Sequence, residues 1–142
     1  MKNVNLENWS FIVGMKTEDG IERVVPIHPK IQPLVLKKYK EAEELGREYL
    51  INCIEAGMYR NDLKLTYDKY LRRFIKIRDK LQLNPLHRPH DPRKHFVTMA
   101  KKYNVDEYAI KYLVGHSISD ITEKVYTKRE LNWLQDEIEK IK

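Results

Sequence analysis

Cysteine is almost missing: Cys53 is the single one in 142 residues. One thiol cannot close an intrachain disulfide, which sets aside disulfide-stapled scaffolds and agrees with a reducing, cytoplasmic setting. Cys53 itself reads as a small buried core residue. Long apolar runs are missing as well. No stretch reaches the roughly 18–20 residues that cross a bilayer, so no membrane-spanning segment is expected. Met1-Lys2-Asn3-Val4-Asn5 has no apolar stretch behind its charge, so no signal peptide is expected. Repeats, low-complexity tracts and interdomain linkers are not visible either. The composition, 42 % hydrophobic and 34 % charged, is globular rather than disordered. The length suits one domain with one core.

Charge is unevenly spread. The chain carries +6 in total, yet Arg60 to Lys102 holds thirteen basic residues against four acids, leaving +9 there and −3 elsewhere. A concentrated basic segment beside an acidic remainder is the footprint of a phosphate-binding face, although a solvated helix surface gives the same count.

The first thirty residues read as strands. Ser10 to Met15 and Glu22 to Ile27 are rich in β-branched and apolar residues. Asp19-Gly20 between them supplies the positive φ of a tight hairpin, and Val4 to Leu6 offers a third short strand. From about Ile31 the period becomes helical, with Ile31, Leu34, Val35, Ala42, Leu45, Tyr49 and Cys53 on one side and breaks at Gly46 and Gly57. Thr66 can cap a helix that turns Tyr67, Tyr70, Leu71, Phe74 and Leu81 inward and its arginines and lysines outward, with Asn84-Pro85 as its stop.

Asp91-Pro92 reads as an N-cap followed by proline at the first helical position, in a helix running to about Tyr103 on Phe96, Met99, Ala100 and Tyr103. Shorter helices are expected from Asp106 to Val114, ending at Gly115, and from about Ser119 towards Tyr126. Thr127-Lys128-Arg129-Glu130 is a capping box that opens a last helix on Leu131, Leu134, Ile138 and Ile141. The expected fold is α+β and mostly helical: a small antiparallel hairpin or three-stranded sheet over residues 1–28, then a helical bundle over 29–142.

Three short motifs stand out: His90-Asp91-Pro92-Arg93, Val114-Gly115-His116 and Val125-Tyr126-Thr127. Each alone is commonplace. Their order and spacing are not, since His90 and Arg93 open a helix, Gly115-His116 follows some twenty residues on, and Tyr126 lies ten residues beyond His116. In this the chain resembles the tyrosine recombinases (phage integrases), whose catalytic domains carry a His-x-x-Arg box, a Leu-Gly-His-like box and a nucleophilic tyrosine in that order. The family also places a catalytic lysine on an upstream β-hairpin, and Lys16 occupies the hairpin turn here, where it also reads as an ordinary exposed turn lysine. The resemblance covers nearly the whole chain and implies part of a catalytic domain that cuts and rejoins DNA through a 3′-phosphotyrosine, with no cofactor and no metal. A type IB topoisomerase shares this chemistry, but the short hairpin and the Val-Gly-His box look more like an integrase.

The chemistry explains the residue types. A tyrosine with a pKa of about 10 needs on the order of 4 kcal/mol to form its phenolate at neutral pH, which nearby cations lower. Arg93 can fork two N–H groups onto phosphate oxygens and keeps its charge. Its place in a helix's first turn adds backbone N–H groups and partial positive charge. His90 and His116 are of the residue type that donates protons near neutrality. The resemblance makes His90 the proton-transfer partner, His116 a phosphate donor and Lys16 the group that protonates the leaving oxygen. Arg88, Lys94 and Thr17 are expected to contact DNA nearby. A phosphotyrosyl link stores the energy of the broken bond, so religation needs neither ATP nor metal.

Other readings stay open. His87 and His90, three apart, with His95, His116 or Cys53, offer zinc ligands, but Pro89 intervenes and the four-residue step of one helical face is missing. More simply, His87 and Arg88 are loop residues near DNA and His95 is a buried structural histidine. A catalytically inactive DNA-binding remnant of a mobile-element integrase would carry the same fold. The last helix packs on its own domain or docks in trans, as the family's tetramers on double-stranded DNA commonly exchange C-terminal segments. The resemblance points to a bacterial phage or mobile element acting at the nucleoid.

The chain also departs from the family. Tyrosine recombinases use two arginines, the first on a helix upstream of the hairpin; no residue here matches it, and neither Arg23 nor Arg60 takes that role. The N-terminal DNA-gripping domain has no counterpart in these residues, and Pro92 stands where leucine is commoner. In isolation the chain is therefore expected to bind duplex DNA weakly, with affinity falling as salt rises, and to recombine it poorly or not at all. Anisotropy titrations at two salt concentrations and a plasmid recombination assay check the two halves.

Overall fold

The structure, a computed structural model, describes residues 3–14, 22–51, 64–116 and 131–142. The hairpin turn with Lys16 and Thr17, Cys53, Gly57, Arg60, the segment from Ser119 to Tyr126 and the capping box at 127–130 lie outside them. The fold is α+β, with a small three-stranded antiparallel sheet and five α-helices among the described residues. The backbone divides into two compact units, Leu34–Pro92 and Lys2–Pro33 with Arg93–Lys142.

The second unit opens with the sheet. Strands β1 (Val4–Asn5), β2 (Ser10–Val13) and β3 (Arg23–Pro26) lie in that order, with Val4 opposite Phe11 and Phe11 opposite Val25. The three expected strands are all present, each shorter than its apolar run. The β1–β2 turn is built by Asn5, whose Oδ1 accepts from the N–H groups of Glu7 (2.9 Å) and Asn8 (3.1 Å). A 3₁₀ turn (Pro29–Ile31) follows, with the His28 side chain accepting from the Lys30 N–H.

The α-helices of this unit make its core. Helix α3 (Asp91–Lys102) crosses in from the other unit, followed by α4 (Glu107–Val114) and, at the end of the chain, α5 (Leu131–Glu139). Ala100, Val105, Ala109, Ile110 and Leu134 form the buried cluster, with Val97, Tyr112, Leu113, Trp133 and Ile141 packed around it. Asp106 caps α4 by accepting from the Ala109 N–H at 3.1 Å, the role its position foretells. Helix α5 is tied in by Glu137, a buried carboxylate that accepts from the Asp106 N–H (2.8 Å) and from Lys140 Nζ (2.7 Å). The expected stripe of α5 is seen: Leu134 and Ile138 are buried, and the helix packs on β3.

The first unit holds most of α1 (Gln32–Glu44), all of α2 (Tyr67–Lys80) and the turns from 81 to 90. Here the expected stripes need correction. On α1 only Val35 and Ala42 are buried, while Leu34 is 59 % exposed, as is much of Ile31 and Leu45. The helix ends at Glu44, where Gly46 takes φ 58°, so Leu45 never joins its face. On α2 Tyr67 is 67 % exposed and Tyr70 and Leu81 are exposed too. Leu71 and Phe74 do turn inward as expected, joined by Ile75 and Arg78 at i, i+3, i+4 and i+7. Lys69, Arg72, Arg73, Lys76 and Lys80 share the opposite side, all exposed but the half-buried Lys69.

Thr66 stands at the N-cap of α2 in an extended conformation but makes no side-chain capping bond. The helix stops before Asn84-Pro85, at Leu81, because Gln82 adopts φ 52° and the Leu83 N–H turns back to the Arg78 carbonyl at 3.0 Å. No helix among the described residues is long and apolar enough to cross a membrane.

Leu134 is 3 % exposed and Leu86 is 78 % exposed. Leu134→Ala is expected to cost roughly 2–5 kcal/mol, whereas Leu86→Ala should stay within about 0.5 kcal/mol. Urea denaturation followed by tryptophan fluorescence and circular dichroism measures both.

Candidate active site

The residues before α3 are folded by Asp91. Its Oδ2 accepts from the Arg88 N–H at 2.9 Å and lies 3.4 Å from His87 Nδ1. The Asp91 carboxylate thus reaches backwards to the preceding turn, and α3 begins at Asp91 itself. The expected N-cap is the first helical residue, and Pro92 is the second. An acid in the first turn still complements the positive end of the helix. Arg88 and His90 are exposed, with His90 immediately before α3 in the first unit.

Arg93, in the first turn of α3, belongs to the second unit and is half-buried. Its Nη2 donates to the carbonyl of Val114, the last residue of α4. That helix ends as a Schellman turn: the Gly115 N–H returns to the Tyr112 carbonyl at 3.1 Å and the His116 N–H to the Lys111 carbonyl at 2.9 Å. Gly115 sits at φ 68°, ψ 43°, in the left-handed region. Arg93 is therefore bonded to the backbone two residues before His116, and the exposed His116 follows directly on the turn. Of the His-x-x-Arg motif, Arg93 thus meets the Gly115–His116 turn at this helix end.

A second guanidinium reaches the same end. Arg23, at the start of β3, donates through Nη1 to the carbonyls of Tyr112 and, at 3.2 Å, Leu113. The next residue adds a contact, as the Val24 N–H donates to Tyr112 Oη at 3.3 Å. Burial lowers the Arg23 pKa from its usual value, Tyr112 acts in the opposite sense, and the like charge of Arg93 lowers it again. Arginine's very high intrinsic pKa keeps it charged regardless. Two full positive charges thus face a helix end worth roughly −0.5 charge.

Sequence reasoning passed over Arg23, which carries no motif and stands 89 residues from its main partner. The only hint is an arginine entering an otherwise apolar strand, Val24-Val25-Pro26. His95, expected to be buried, is exposed on the outer side of α3 with Lys94, Thr98, Lys101 and Lys102. That helix buries Ala100 instead and half-buries Phe96, Val97, Met99 and Tyr103. Among the described residues no three His, Cys, Asp or Glu side chains gather as a metal site. Tyr126, Lys16 and Thr17 lie outside the described residues.

Comparison with known proteins finds no matching family model, curated protein or solved structure.

A Cβ on Gly115 would lie 2.5 Å from Arg23 Nη2 and 2.6 Å from its Cζ, besides straining the backbone. Gly115→Ala is expected to destabilise the protein by at least about 1–2 kcal/mol, the usual cost of a left-handed non-glycine residue. Thermal unfolding, read by circular dichroism, checks this.

Proposed function

We propose that this chain is part of a tyrosine-recombinase-type catalytic domain, with the fold of that family, that cleaves and rejoins DNA through Tyr126. The observation that carries the reading is the bond from Arg93 to the end of α4, which brings Arg93 beside the Gly115–His116 turn. The cationic side of α2, with Arg72, Arg73, Lys76 and Lys80, adds a surface suited to a phosphate backbone.

In this reading Arg93 forks onto two non-bridging oxygens of the scissile phosphate, and His116 donates to one of them. The Tyr126 oxygen forms a bond to phosphorus while the bond to the 5′ oxygen breaks, leaving a 3′-phosphotyrosine and a 5′ hydroxyl. His90 takes the tyrosine proton and Lys16 supplies one to the leaving oxygen. Rejoining is the same exchange reversed, with a 5′ hydroxyl as nucleophile. Arg88, Lys94 and Thr17 contact the flanking backbone, and the working assembly is a tetramer on double-stranded DNA.

A nicked suicide duplex, which loses its 5′ hydroxyl fragment after cleavage, tests this in the longest natural polypeptide that contains the chain. A covalent protein–DNA adduct is expected, absent in Tyr126→Phe and slowed about 10²–10³-fold in Arg93→Gln. Salt-sensitive binding without any adduct would reject catalysis and leave a DNA-binding module.

A further inference from the structure

Helix α4 leaves its last carbonyls without helical partners, and those of Tyr112, Leu113 and Val114 are all taken by arginines from other elements. Arg93 takes one. Arg23 takes two, both through Nη1, while the other arm of its guanidinium fork lies beside Gly115. The fork packs where a side chain on residue 115 would stand, so Gly115 serves the turn twice, by its φ and by the space it leaves. Val24 adds its own N–H to the Tyr112 hydroxyl, and two consecutive residues of β3 thus grip one helix end.

We propose that Arg23 is a positioning residue, which clamps the end of α4, sets the Gly115–His116 turn and occupies the helix's negative pole so that Arg93 can turn its charge to an anion. The clamp stands on the geometry alone. Its use for a DNA phosphate rests on the proposed function.

Without Arg23 the partial negative charge of the helix end would fall to Arg93 alone, holding that guanidinium against Val114 and away from a ligand. With Arg23 in place, like-charge repulsion acts on Arg93 in the opposite direction. The helix end would also lose its two guanidinium bonds to β3, keeping the bond from the Val24 N–H to Tyr112 Oη. Among the described residues the turn carrying His116 would keep its own two backbone bonds, from Gly115 to Tyr112 and from His116 to Lys111, and the Arg93 bond to Val114.

Amide hydrogen exchange by NMR on the wild type, Arg23→Gln and Arg23→Lys tests the clamp. Exchange at Gly115 and His116 is expected to rise about tenfold or more in Arg23→Gln, with Val105 and Ile110 changing less than about twofold. Arg23→Lys keeps the charge but loses the fork, and should fall between wild type and Arg23→Gln. Unchanged exchange at Gly115 and His116, or an equal rise at Val105 and Ile110, would overturn the proposal.

A second arm reads function with the suicide duplex. In Arg23→Gln the rate of adduct formation at saturating DNA should drop about tenfold or more while half-saturation moves less than about threefold. A rate loss explained wholly by weaker DNA binding would contradict the positioning role. Should the wild type form no adduct, the recombinase reading fails, and the exchange measurement still decides on the clamp.

Discussion

The second unit depends on the C-terminal end of one eight-residue helix. Helix α4 runs from a well-formed cap at Asp106 to a left-handed glycine, and its last three carbonyls meet guanidiniums from β3 and α3. A helix end needs its orphan acceptors satisfied, and water could do so at the surface. Arginines do it here, which fastens the sheet and α3 to α4 in the process. The opposite end of α4 is fastened as well, by the buried Glu137 of α5 bonding the Asp106 N–H. Both ends of α4 are thus gripped by other parts of the unit.

This arrangement brings two guanidiniums to one helix end. The helix end offers a partial charge, and Arg23 and Arg93 bring two whole ones. Mutual repulsion is tolerable because the carbonyl bonds hold each guanidinium and solvent reaches both. In the first unit, α2 gathers its cations differently, as a stripe opposite a modest apolar side of Leu71, Phe74 and Ile75. Such a stripe suits an extended polyanion, whereas the end of α4 suits a single phosphate.

Much of the architecture was legible in the residue pattern. The strands follow their β-branched runs, and α4 follows its Asp106 cap and Gly115 stop, because short-range turn chemistry decides these features. The stripes of α1 and α2 were less legible. Period alone marks a face without saying how much of it finds a neighbour, so Leu34 and Tyr67 remain exposed on real helices. Asp91 was expected to cap α3 and instead folds the preceding turn, since a short carboxylate can reach either way. Arg93 and His116 were legible as motif residues. Arg23 was not, because its value comes from partners 89 and 90 residues away that no local spacing encodes.

In the proposed function Arg93 and the Gly115–His116 turn act together on one phosphate of DNA. Titrating a short duplex into isotope-labelled protein, and following the Arg93 side-chain N–H with the Gly115 and His116 amides, tests it directly. The account predicts that all three signals move with one shared midpoint, and that the midpoint shifts to higher DNA concentration as salt is raised. Shifts confined to the cationic side of α2, with Arg93, Gly115 and His116 unmoved at saturation, would contradict it.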